Sequence, residues 1–196
     1  MTDVLVVGGG PAGLSAALFT AKNGLDTAVF DTDSTWMHKA HLFNYPGIGS
    51  ADGSNYMATL RDQVDDFGVE RHQGTEVTGV TADGGEFVVE VDESDTHTAE
   101  YVVLATGANR DLAADLGCSF TDEDVVDVDV TMETSVENAY ATGAMVRVEE
   151  WQAVISAGDG AAAALNILSK EKGEHYHDFD VPSDAEAVFG SMIDEE

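Results

Sequence analysis

The stretch Asp3-Val4-Leu5-Val6-Val7-Gly8-Gly9-Gly10-Pro11-Ala12-Gly13-Leu14 decides the fold. Four apolar residues without polar interruption read as a strand buried on both faces, and the glycines that follow stop it. From Pro11 the apolar spacing changes to Ala12, Leu14, Ala16, Ala17 and Leu18, which predicts a helix that Asn23-Gly24 ends. Proline suits the first helical position, where its missing N–H would have no intrahelical partner anyway. A second buried strand is predicted over 27–31. Strand, glycine turn, helix and strand make a βαβ unit and therefore a parallel sheet.

Within the turn, Gly8, Gly10 and Gly13 satisfy G-x-G-x-x-G in the context that gives the pattern its meaning, after a strand and opening a helix. Gly8 permits the tight turn, Gly10 lets the backbone approach a pyrophosphate, and Gly13 allows the helix to pack closely on the strand. Pro11 and Ala12 open the helix, whose N-terminus offers the positive end of its dipole. Asp31, about twenty residues on, stands where an acid can hydrogen-bond ribose hydroxyls, with Thr32 beside it. This is a dinucleotide site, but FAD and NAD carry the same ADP half, so the turn does not choose between them.

Outward from this unit, 32–54 is irregular and holds Trp36, His38, His41 and Asn44-Tyr45-Pro46-Gly47; its length as a loop points to function. Tyr56, Met57, Leu60, Val64 and Phe67 form one stripe of a helix over 53–67 that Gly68 ends. Alternation over 76–82 and 86–91 around Asp83-Gly84-Gly85 predicts a hairpin. Further strands are expected over 98–105, 125–130 and 139–142, then a helix over 149–172. A short helix is expected in the acidic tail after Pro182-Ser183. No internal repeat or dividing linker is visible, so residues 1–173 are read as one domain and 174–196 as an appended tail.

The chain has 38 acidic and 8 basic residues, a net charge of −30, spread along its whole length. With 43% hydrophobic residues it can bury a core, so the acidity belongs to a folded surface. Such a surface repels phosphate backbones and anionic lipid, which excludes nucleic acid and membrane surfaces as main partners. Its self-repulsion fades at about 1 M salt, where the Debye length is roughly 3 Å, so a halophilic cytoplasm is the expected setting. No basic leader or spanning apolar run is seen, consistent with a cytoplasmic location. Cys118 is the only cysteine, so the 196 residues contain no internal disulfide, and redox chemistry would have to come from a cofactor.

Five segments, in order, carry a resemblance to the FAD-binding domain of thioredoxin reductases, among the flavoprotein pyridine nucleotide-disulfide oxidoreductases. They are Gly-Gly-Gly-Pro-Ala-Gly at 8–13, Asn44-Tyr45-Pro46-Gly47, Val103-Leu104-Ala105-Thr106-Gly107-Ala108, the run from Thr134 to Gly143, and Trp151-Gln152-Ala153-Val154. The resemblance implies an α/β fold: a Rossmann-like parallel sheet with helices plus a small antiparallel β-meander, in three layers. It implies FAD extended across the domain, touched by Val77 at the adenine, by Ala105, Thr106 and Gly107, and by Gly143, Ala144, Gln152 and Ala153 along the ribityl chain and flavin. It also puts Asn44, His38 and His41 near the isoalloxazine ring, where a histidine could tune protonation or donate a proton. The alternative for both histidines is an exposed loop position. Trp36 and Met37 would shield the flavin or seal a dimer, and pairing through FAD domains makes a homodimer the expected assembly.

Two departures bear on activity. The family inserts a nicotinamide-binding domain after Ala-Thr-Gly, whereas here the chain runs from Gly107 to Val125 without a second glycine motif or a Cys-x-x-Cys pair. Thioredoxin reduction by this chain alone is therefore not expected, and electrons would come from free NAD(P)H or a separate donor protein. The family also places an acid at the position of Ala144, accepting hydrogen bonds from the ribityl chain, and losing it could cost about 1–3 kcal/mol of affinity. A non-catalytic FAD or dinucleotide-binding module, acting as sensor or partner subunit, is the competing reading. His175-Tyr176-His177 followed by Asp178 could form a metal ligand set, but two histidines in a polar tail read as solvated, so no metal site is assigned; Cys118 reads as a buried or incidental thiol.

Overall fold

The computed structural model describes residues 2–91 and 95–179; the helix expected after Pro182-Ser183 lies outside them. Strand β1 (Val4–Val7) is wholly buried, and helix α1 (Pro11–Lys22) and strand β2 (Thr27–Asp31) complete the βαβ unit. The irregular stretch holds a 3-10 turn at Trp36–Lys39 and a small antiparallel pair, β3 (His41–Leu42) and β4 (Ala51–Asp52). Helix α2 (Gly53–Asp66) starts where the Asp52 side chain accepts the amides of Ser54 and Asn55, at 2.9 and 3.3 Å. Strand β5 (Glu70–Gln73) follows, then the meander β6 (Gly79–Asp83), β7 (Glu86–Glu90) and β8 (Thr96–Ala99). Gly84 and Gly85 make its first turn with both φ positive, the two-residue turn that matches strand twist. Strand β9 (Tyr101–Leu104), helix α3 (Asp111–Leu116), strand β10 (Ala139–Ala141), a 3-10 turn at Gly143–Val146 and helix α4 (Ala153–Lys172) complete the described elements.

The main sheet has the order β10-β9-β1-β2-β5, every pair parallel, with Val6 between Val29 and Val103. Period-2 alternation divides its side chains. Val4, Val6, Val29 and Val103 join α1, α2 and α4 in one core, while Leu5, Val7, Phe30, Val102 and Leu104 join the meander and α3 in the other. The result is the expected three-layer α/β architecture, with α1, α2 and α4 on one face of a parallel sheet and the antiparallel meander, with α3, on the other.

Several elements differ from the sequence expectation. The strand read over 98–105 is two strands in two sheets: Thr96-His97-Thr98 is too polar for the central layer and pairs with β7, whereas Tyr101–Leu104 is fully buried beside β1. No strand forms over 125–130; Val126 and Val128 make isolated bridges only. There Asp129 bends the chain, its Oδ1 accepting the amides of Thr131 (2.8 Å) and Glu133 (3.1 Å), which competes with a ladder. Strand β6 begins at Gly79, leaving Val77 in the preceding loop, and α4 begins at Ala153 instead of position 149.

Candidate functional site

The loops leaving the C-terminal ends of the parallel strands enclose a cleft of about 740 Å³. Its walls are the glycine turn after β1, the segment from Asp31 to Met37 after β2, Thr75–Thr78 after β5, Ala105–Asn109 after β9 and Thr142–Ala144 after β10, closed by Trp151, Gln152, Ala153 and Ser156. The chain leaves β1 toward β2 on one side and returns as β9 on the other, so the glycine turn lies at the point where the strand order reverses. Open parallel sheets bind ligands there.

The three motif glycines are required for different reasons. Gly8 has φ +111°, and a Cβ on it would lie 2.2 Å from the Ala105 carbonyl oxygen; a Cβ on Gly13 would lie 1.8 Å from the Gly8 carbonyl oxygen. Both are demanded by the protein's own backbone. Gly10 is not: its φ is −79°, and a Cβ there would meet nothing nearer than Thr35 Oγ1 at 3.8 Å. What Gly10 keeps free is cleft space, at the start of a 12-residue helix whose first turn carries no acidic residue and no side-chain cap. Unneutralised amides at a positive dipole end, with room for close approach, fit an anionic group such as a pyrophosphate.

Asp31 ends β2 on the cleft wall. Its Oδ1 accepts the Asp33 amide (3.1 Å) and its Oδ2 faces Arg61 at 3.4 Å. Asp33, at φ +58°, accepts from His38 Nε2 (2.8 Å), Gln73 Nε2 (2.9 Å) and the Arg61 guanidinium, tying the loop after β2 to α2 and β5. His38 and then Arg61 hold the Asp33 carboxyl well below the usual range, at about 2. A carboxylate with a depressed value stabilises the fold above its ordinary value near 3.8, and that contribution is lost as pH falls through about 2. Asp33→Asn is therefore expected to lower the unfolding midpoint at pH 7 but to match the wild type near pH 2. Denaturation at both pH values checks this, and the effect is small because the side chain is 37% exposed.

Neither histidine lines the cleft. His38 Nδ1 faces Ser54 Oγ at 3.0 Å, and His41 Nε2 faces Ser50 Oγ at 2.9 Å with its ring against Phe43. Ser54, His38 and Asp33 thus form a hydrogen-bonded chain, but it is not built for acyl transfer: the amides beside Ser54 are already given to Asp52, and Asp33 is shared with Arg61. Asn44 also lies off the wall and donates to Gln152 Oε1 at 2.7 Å. Pro11, Ala12, Thr32, Val77, Ala105, Thr106, Gly107, Gly143, Ala144, Gln152 and Ala153 do line it. The wall further includes Thr35, Trp151, Ser156 and the α3 residues Asp111, Leu112 and Asp115. Helix α3 is not among the elements expected from the sequence; Leu112, Ala113, Leu116 and the stop Gly117 are the signal that could have found it, and nothing local shows which way it faces.

Two arginines brace the far end of the cleft. Arg110 donates to the carbonyls of Met145 (2.9 Å), Ala108 (3.2 Å), Ala144 and Arg147 (both 3.4 Å), stitching the loop after β9 to the 3-10 turn after β10. Arg147 pairs with Asp159, which is only 6% exposed, at 2.5 Å. Cys118 is buried, its Sγ 3.6 Å from Thr134 Oγ1, and burial pushes its thiol pKa up, the opposite of an activated nucleophile. In the tail Asp178 pairs with Lys22 at 2.7 Å, and no metal-binding cluster occurs among the described residues. No helix among them is long and apolar enough to cross a membrane.

The family model described as pyridine nucleotide-disulphide oxidoreductase matches residues 2–110 and 46–158. Thioredoxin reductase from Helicobacter pylori is 32% identical over 114 residues, 56% of this chain and 36% of that protein. The Listeria monocytogenes thioredoxin reductase is 34% identical over 111 residues, 55% of this chain and 34% of that protein. The chain thus spans about a third of the length of these relatives. Among solved structures, a thioredoxin reductase from Gloeobacter violaceus superposes with a TM-score of 0.81 at 21% identity, over 92% of this chain and 99% of that one. HlmI superposes with a TM-score of 0.83 at 17% identity, over 98% and 97%.

Proposed function

Since the chain belongs to the pyridine nucleotide-disulphide oxidoreductase family, we propose that its cleft binds FAD and that it is an FAD-dependent oxidoreductase of thioredoxin reductase-like type. Residues 1–173 form the single FAD-binding domain. The observation that carries this reading is the opening at Gly10, which nothing in the protein requires, above the uncapped first turn of α1. Gly8, Gly10 and the α1 amides hold the pyrophosphate, Asp31 the ribose, and the wall from Gly143 to Ala153 the flavin half. When bound, the flavin supplies the redox chemistry, and the protein supplies orientation and electrostatics.

Electrons come from free NAD(P)H or from a separate donor protein, and two copies form a homodimer in a cytoplasm of high salt. Ala144, which offers no acceptor to a ribityl hydroxyl, favours the second reading of a non-catalytic FAD or dinucleotide-binding module. Anaerobic addition of NADH or NADPH to the FAD-loaded protein separates the two. Rapid bleaching of the flavin supports the oxidoreductase, and a flavin that dithionite bleaches but neither nucleotide does supports the module or a separate donor protein.

The salt requirement has its own test. Against 38 acidic residues stand 8 basic ones, and of these Arg71 and Lys170 are already paired, with Asp65 and Glu133. Lowering salt from about 1 M to about 0.01 M lengthens the Debye distance from roughly 3 to 30 Å and releases the remaining repulsion. A thermal scan is expected to show the midpoint falling steeply with salt, and a midpoint that does not fall contradicts the halophilic reading.

A further inference from the structure

We propose that Trp36 and Trp151 form an aromatic wall on which the isoalloxazine ring stacks, replacing by ring contact the recognition that Ala144 does not supply. The proposal rests on the FAD reading of the cleft. Both tryptophans line it. Their ring centroids are 5.3 Å apart with planes inclined by 55°, yet the side chains stay 59% and 41% exposed. Two large apolar rings left uncovered at a cleft, on an otherwise acidic surface, make a contact surface for something flat and apolar.

Both rings are mounted on fixed frames. Trp151 Nε1 donates to the Arg147 carbonyl at 3.1 Å, and the Arg147 guanidinium is held by buried Asp159. The neighbouring Gln152 accepts from Asn44, which ties the loop before α2 to the start of α4. Trp36 stands on the 3-10 turn whose Met37 is buried and whose cap Thr35 accepts the Met37 amide at 3.3 Å. At 5.3 Å the indoles leave no room for a ring between them, so the ligand ring lies against the open side of the pair. Indole is electron-rich and oxidised isoalloxazine electron-poor, so offset stacking is favourable beyond the area it buries. One flavin face is then covered, and exchange with a donor uses the other.

The test is titration of the protein in molar salt with FAD and, separately, with ADP. Wild type, Trp36→Ala and Trp151→Ala are expected to bind ADP alike, which shows that all three fold. FAD is expected to bind each alanine variant about tenfold more weakly. Flavin emission should be quenched on wild type, rise on the alanine variants, and be quenched again on Trp36→Tyr, whose phenol, like indole, can give an electron to the excited flavin. Unchanged FAD affinity and emission in both alanine variants would overturn the proposal. So would variants that bind FAD normally but lose self-association, the mark of tryptophans that seal a dimer. A wild type that binds ADP but not FAD is a different result, and it overturns the FAD reading itself.

Discussion

Gly13→Ala is expected to destabilise the protein by about 3 kcal/mol or more and to abolish dinucleotide binding. The added Cβ would lie 1.8 Å from the Gly8 carbonyl oxygen and 3.0 Å from its carbon, and both atoms are backbone, so no rotamer change relieves the clash. Nor can α1 back away. On its other side α4 presses in at Gly160, where a Cβ would lie 2.0 Å from the Ala12 carbonyl oxygen. The first turn of α1 is clamped between the strand that precedes it and the last helix, and that clamp aims its amides at the cleft. Gly10→Ala is the contrast: with 3.8 Å of clearance it should unfold at the wild-type midpoint yet lose FAD. Chemical denaturation and FAD titration of the two variants separate a fold requirement from a ligand requirement. A Gly13→Ala protein of wild-type stability would contradict the packing argument.

The second large effect is expected from Arg147→Ala. Asp159 is almost fully buried, and its carboxylate accepts from the Arg147 guanidinium at 2.5 and 3.3 Å. Removing one member of a buried pair strands the other charge and typically costs about 3–5 kcal/mol. The low end applies here, because the arginine side chain is 35% exposed. The double variant Arg147→Ala with Asp159→Asn should recover most of the loss, since the stranded charge is gone. A denaturation cycle over the four proteins measures the coupling. A single variant within about 1 kcal/mol of wild type would show that Asp159 is solvated.

The glycine-turn end of the cleft was legible in the sequence because it is local. Gly8, Gly10, Gly13 and Asp31 belong to one βαβ unit, and their reasons are turn geometry, helix dipole and packing, all readable along the chain. The other end was legible only as segments. Trp36 and Trp151 touch across more than a hundred positions, and Asn44 meets Gln152 over a similar span; no periodicity announces such contacts. The polar edge strand Glu70–Gln73 has no apolar pattern to announce it, and its place beside β2 comes from parallel pairing. At 125–130 alternation suggested a strand, but Asp129 gave the backbone amides a nearer partner than any neighbouring strand. For His38 and His41 the resemblance implies the flavin's neighbourhood and the residues themselves leave an exposed loop position open; outside the cleft wall, their ring nitrogens face Asp33, Ser54 and Ser50.

FAD binding by the cleft is read from the absorbance spectrum of the protein purified in molar salt, incubated with excess FAD and freed of unbound ligand. Retained flavin absorption near one FAD per chain, displaced by excess ADP, is the predicted result. A folded protein that takes up ADP and stays colourless, or that takes up neither, would contradict it.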